Sequence, residues 1–115
     1  MGRKMPLTSF RLPPTEDTDY RRFGRLVRLL ERIRGEITQE AAELRQSGDK
    51  MTDCAAFSFE AMENGDNPES MSERIDILTR NLTSNRSRQA SLAVQMAFID
   101  RTRAGLARIL PSRWA

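Results

Sequence analysis

Histidine is missing altogether from the 115 residues, and cysteine occurs once, as Cys54. Without imidazole there is no His-based acid–base catalysis and no Ser-His or Cys-His nucleophile pair. The commonest zinc ligand is gone as well. A lone cysteine forms no intrachain disulfide, so a reducing cytoplasm is the expected location. Cys54 is flanked by Ala55, Ala56 and Phe57 and reads as a small core residue. No apolar run approaches the ~20 residues of a membrane span, so none is expected. Met1-Gly-Arg-Lys-Met-Pro6 carries positive charge but no apolar segment after it, so no secretory signal is expected. Pro6 stands where myristoylation wants Ser or Thr. The phosphate-binding pattern Gly-x-x-x-x-Gly-Lys-Ser/Thr has no match. Asp49 with Asp53, and Glu36 with Glu40 and Glu43, share helical faces, but that spacing is routine on solvated helices. No catalytic residue, metal ligand or cofactor site is expected, and the chain reads as a non-enzyme.

Lysine is nearly absent too. Only Lys4 and Lys50 stand among the 19 basic residues, and the other 17 are arginine. Arginine makes bidentate contacts with carboxylates and phosphates and suits interfaces. The formal net charge of +3 conceals strong segregation. Residues 21–35 hold six arginines and Glu31, a net +5. Residues 36–76 hold eleven acidic and three basic groups, a net −8. Residues 77–115 hold seven arginines and Asp100, a net +6. Blocks of one sign usually mark separate surfaces.

Few aromatics and a helical spacing of apolar residues predict an all-α chain. Residues 1–14, with Pro6, Pro13 and Pro14, read as an extended mobile arm, and residues 15–115 as one helical domain. A first helix is expected over about 18–46, capped by Thr15 or Thr18 and ended by Ser47-Gly48-Asp49. Phe23, Leu26, Val27, Leu30, Ile33, Ile37, Ala41 and Leu44 form its apolar face. Arg21, Arg25, Arg28 and Arg32 fall opposite. A second helix over 50–64 would bury Met51, Ala55, Phe59 and Met62. Gly65-Asp-Asn-Pro68 reads as a turn, with Asn67 as a cap.

The third helix, over 68–110, has the strongest pattern. Met71, Ile75, Leu78, Leu82, Asn85, Gln89, Leu92, Met96, Ile99, Arg103, Leu106 and Leu110 recur at alternating steps of four and three. That 3.5-residue period is the coiled-coil signal. Pro111 stops it. The first two helices end to end match the third in length, which predicts a long antiparallel helical hairpin. The alternative is a compact three-helix bundle with residues 50–64 folded back. A two-helix hairpin has little core. Residues 90–99 are also apolar around more than one face, so two hairpins are expected to pair as a four-helix-bundle homodimer. The expected assembly interface is Met71, Ile75, Leu78, Leu82, Leu92, Met96, Ile99, Leu106 and Leu110.

Asn85 and Gln89 interrupt that seam. Two readings stand: buried amides that fix register at a cost in stability, or a locally exposed stretch, since Thr83, Ser84, Arg86, Ser87 and Arg88 are polar too. The face of Arg21, Arg25, Arg28 and Arg32 is the candidate partner-binding surface, joined by Arg101, Arg103, Arg108 and Arg113 at the same end of the rod. An acidic protein partner suits it. Nucleic acid is the weaker candidate: no aromatic residues interleave the arginines, and no nucleic-acid-binding motif appears.

Ala90-Ser-Leu-Ala-Val-Gln-Met-Ala-Phe-Ile-Asp-Arg101 resembles the terminal helix of the flagellar hook–basal-body family FliE, at Ala90, Ser91, Gln95, Met96 and Arg101. The resemblance covers about a tenth of the chain, residues 90–101. It implies a small axial or export-associated component of a flagellar or type III secretion system. A helical hairpin dimer is also similar in architecture to the CheZ type of chemotaxis phosphatase. That family's Asp-x-x-x-Gln motif is absent, since none of the seven aspartates precedes Gln by four residues. The expected function is a non-enzymatic protein–protein interaction module of adaptor, chaperone or regulatory type.

Overall fold

The computed structural model describes residues 14–65 and 67–110. The arm expected over residues 1–14 lies outside them, apart from Pro14. Two helices make up the fold: α1, Pro14–Glu63, and α2, Pro68–Ile109. They pack antiparallel as a long hairpin, 18 × 16 Å across, one helix pair thick. At 1.5 Å per residue α1 runs about 75 Å and α2 about 63 Å.

α1 starts four residues ahead of the expected start, with Pro14 in a first turn where its missing N–H costs nothing. Thr18 lies within the helix rather than capping it. The larger correction is at Ser47-Gly48-Asp49, which does not end the helix. α1 runs through it without interruption, so no separate helix covers 50–64 and no three-helix bundle forms. Glycine costs about 1 kcal/mol in a helix interior, which tertiary packing readily offsets. The hairpin turn falls where expected. Gly65 adopts φ +87°, Pro68 enters the first turn of α2, and the Ser70 N–H donates to Asn67 Oδ1 at 3.3 Å. At the far end α2 stops at Ile109, and Leu110 turns to extended backbone, as befits a residue before proline.

All twelve positions of the α2 repeat, from Met71 to Leu110, are buried or half-buried. α1 carries the matching repeat at Tyr20, Phe23, Val27, Leu30, Arg34, Ile37, Ala41, Leu44, Gly48, Met51, Ala55, Ser58 and Met62, none of them exposed. Gly48 lies against Asn85. Stepping outward by threes and fours in opposite directions from that contact sets Ala41 level with Leu92, Arg34 with Ile99 and Val27 with Leu106. Leu30, Ile37, Leu92, Ile99 and Leu106 form the buried cluster, with Phe23, Leu26, Val27, Ile33, Ala41, Leu44 and Met96 packed on it. Each fully buried aliphatic chain contributes about 1.5–3 kcal/mol, so this half of the rod holds the hairpin closed.

Toward the turn the seam thins. Ser58 has no exposed surface and takes the seam position expected for Phe59, which is 53% exposed. The cause is the period: continuing by three from Ala55 lands on Ser58, not Phe59. Cys54 is exposed rather than a core residue, because it sits on the flank of the seam.

Candidate interaction surfaces

The assembly residues expected on α2 all lie on the seam with α1 of the same chain. Of these, Leu92, Ile99, Leu106 and Leu110 are buried and Met71, Ile75, Leu78, Leu82 and Met96 half-buried. They serve the hairpin's own closure. What faces outward is therefore set by the remaining heptad positions.

Among the described residues three ion pairs tie the helices together and define two sides of the rod. Arg34, a seam position of α1, donates from Nε to Asp100 Oδ1 of α2 at 2.9 Å. Arg103, a seam position of α2, reaches back to Glu31 Oε2 of α1 at 3.4 Å. These two reciprocal pairs occupy one side. On the other, Arg88 clasps Glu40 with Nε to Oε2 at 2.7 Å and Nη2 to Oε1 at 3.0 Å. The hydrogen bond from Arg34 holds the Asp100 carboxyl below its usual range; desolvation opposes this, and the charges of Arg34 and Arg103 assist. The hydrogen bond from Arg88 lowers Glu40 likewise, against desolvation. Arg34 and Arg88 are raised in return by hydrogen bonds to those carboxylates. Arg103 thus belongs to the interhelical pairing and not to the outer basic face. Arg34 was not among the residues singled out from sequence. Its signal was present, because it stands four residues after Leu30 and three before Ile37.

Midway along the rod lies a buried polar node. Asn85 is only 6% exposed, which overturns the locally exposed reading. Its Nδ2 donates to the Leu44 carbonyl at 2.9 Å, and its Oδ1 accepts from Gln89 Nε2 at 2.7 Å. Gly48 makes room for it: an added Cβ would meet Asn85 Oδ1 at 3.2 Å and Leu82 Cδ1 at 3.7 Å. A groove of about 400 Å³ opens beside this node, lined in part by Arg45, Asp49, Arg86 and Gln89.

Arg21, Arg25, Arg28 and Arg32 are all exposed on the outer face of α1, as the spacing requires. Arg21 pairs locally with Asp17 at 3.2 Å, while Arg25, Arg28 and Arg32 form no ion pair among the described residues. Arg101 and Arg108 are exposed on α2 at the same end, and Arg113 lies outside the described residues. Asp49, Asp53, Glu60 and Glu63 of α1, with Glu69, Glu73 and Asp76 of α2, are exposed toward the turn. The rod is basic at one end and acidic at the other.

Among the described residues no three His, Cys, Asp or Glu side chains come together as a metal site. No described helix is long and apolar enough to cross a membrane. In comparisons with known proteins, no family model, no curated protein and no solved structure matches this chain.

Proposed function

We propose that the chain is a non-enzymatic protein–protein interaction module, an adaptor, chaperone or regulatory subunit. It would present the arginine ridge of α1 to an acidic partner. The observation that carries this is the ridge itself: Arg21, Arg25, Arg28 and Arg32 stand exposed along three turns, and three of the four have no carboxylate partner among the described residues. Arginines held in a row on a rigid helix match carboxylates spaced along a partner surface, with little ordering cost at the moment of binding. The acidic turn end would repel a long polyanion laid along the rod, which favours a local acidic protein surface over duplex nucleic acid. A cytoplasmic setting suits the single exposed thiol.

The same module is expected to pair with a second copy of itself, because its core is only one helix pair thick.

Titration of the protein with polyglutamate and with duplex DNA of equal charge tests the ridge. The expected result is salt-sensitive polyglutamate binding, weakened tenfold or more when Arg21, Arg25, Arg28 and Arg32 are all changed to Gln. Tighter binding of DNA, lost in the same variant, would move the assignment to nucleic acid. Absence of binding to either polymer would overturn both. Assembly beyond a dimer would favour an axial component of a secretion or flagellar system.

A further inference from the structure

The interhelical ion pairs show how charge is balanced beside the seam. On one side of the rod, Glu31 and Asp100 flank the seam from opposite helices. Arg103 and Arg34, the seam positions between them, neutralise both carboxylates. The charge of Arg103 reaches Asp100 as well. Two heptads nearer the turn, about 21 Å along the same side, the four equivalent positions are Arg45, Gly48, Arg86 and Gln89. Arg45 takes the place of Glu31, and Arg86 that of Asp100, so two guanidinium groups now flank the seam. Gly48 takes the place of Arg34, and Gln89 that of Arg103, so no charge lies between them. Neither Arg45 nor Arg86 forms an ion pair among the described residues. With glycine at one of the two seam positions, the space between the arginines stays open. It is the groove of about 400 Å³ beside the polar node, and all four residues line it.

We propose that this groove binds a phosphate group, free or as a monoester, held between Arg45 and Arg86. The site is separate from the arginine ridge on the outer face of α1. Each helix contributes one guanidinium, whose forked N–H donors match phosphate oxygens. The seam adds an amide. Gln89 Nε2 donates one N–H to Asn85 Oδ1 at 2.7 Å and has a second to give. Asn85 is itself held by the Leu44 carbonyl at 2.9 Å, so this donor is oriented before an anion arrives. A tetrahedral oxyanion accepts from both arginines and the amide at once, whereas a carboxylate offers its acceptors in one plane. Thr52 donates its hydroxyl to the Gly48 carbonyl at 3.0 Å and adds no donor. One carboxylate lines the groove, that of the exposed Asp49. It forms no ion pair with either arginine, so the groove keeps a net positive charge and Asp49 opposes the anion. The groove has room for an organic group beyond the phosphate, which admits a monoester.

The test is a titration of the full chain with inorganic phosphate, glycerol 3-phosphate and acetate at constant ionic strength. Binding is read from the arginine Nε–H and glutamine side-chain amide signals in NMR spectra. The expected result is saturable shifts at Arg45, Arg86 and Gln89 with either phosphate, and the tighter of the two names the source. Arg86→Gln should weaken binding about tenfold or more, through loss of charge-assisted hydrogen bonds. Asp49→Asn should strengthen it about threefold, through loss of an opposing charge. Both variants alter exposed residues, and circular dichroism checks that helicity is unchanged. Shifts that rise without saturation, that are as large at Arg25 and Arg28, or that survive Arg86→Gln would overturn the site. Acetate binding as tight as phosphate would overturn the choice of phosphate. Weaker binding by Asp49→Asn would overturn the electrostatic account of the groove.

Discussion

Gly48 and Asn85 face each other across the seam, so closely that a Cβ on residue 48 would stand 3.2 Å from the Asn85 amide oxygen. That amide is held from both ends, by the Leu44 carbonyl and by Gln89. A glycine that looks like a helix terminator is instead the space into which a buried polar side chain fits. The pair fixes the axial register of the two helices at mid-rod.

Gly48→Ala therefore should not yield the usual helix-propensity gain of about 1 kcal/mol. Gly35→Ala, where an added Cβ meets nothing within 4 Å, should yield it. In an Asn85→Ala background the obstacle is gone, and Gly48→Ala should recover most of the gain. Urea unfolding of the four variants forms a double-mutant cycle, and a coupling energy near zero would contradict the contact.

Asn85→Leu tests what the polar node does. Buried asparagine in a coiled coil fixes register at the expense of stability. The variant should melt at the same or a higher temperature while losing its single assembled mass in size exclusion. A lower midpoint with an unchanged mass would assign Asn85 a purely stabilising part.

Ser58 is fully buried and its hydroxyl has no hydrogen-bond partner. An unsatisfied buried hydroxyl costs about 1–3 kcal/mol. Ser58→Ala keeps nearly the same volume and should raise stability by up to that amount. A destabilised Ser58→Ala protein would mean that the hydroxyl is satisfied in solution.

Acid should weaken the helix pairing through Glu40 and Asp100. Both carboxyls are lowered in the folded chain by hydrogen bonds, from Arg88 and Arg34. A carboxyl with a lowered folded value contributes fully above its unfolded value, near pH 4, and loses that contribution as pH falls through the folded value. The pairs are exposed, so the effect is small. The melting-temperature gap between the unmodified chain and Glu40→Gln/Asp100→Asn should be present at pH 7 and close below about pH 4. A gap that is constant with pH would remove the pairs from the stability of the fold.

Much of this was legible in the residues. The alternating steps of α2 from Met71 to Leu110 gave its seam position by position, and Asn67-Pro68 gave its start. The missed continuity of α1 has a physical cause: Ser47-Gly48-Asp49 carries local stop signals, and only the helix lying opposite overrides them. Counting on from Leu44 by four, three and four reaches Gly48, Met51 and Ala55, so the period crosses the glycine unbroken. The same count separates Ser58 from Phe59. Leu29 and Phe57 stand four heptads apart on α1, and Ile77 and Phe98 three heptads apart on α2, so each pair shares a line within its own helix, but the sequence alone does not say that the two lines fall on the same side. They become one surface only when the hairpin register sets the two helices side by side.

The most direct test of the account is the mass and length of the particle together, from size exclusion with light scattering and small-angle X-ray scattering. A rod that lies side by side with its second copy should weigh about twice 13.2 kDa while keeping the length of a single hairpin. A mass of 13.2 kDa at every concentration, or a doubled mass on a rod of nearly doubled length, would contradict it.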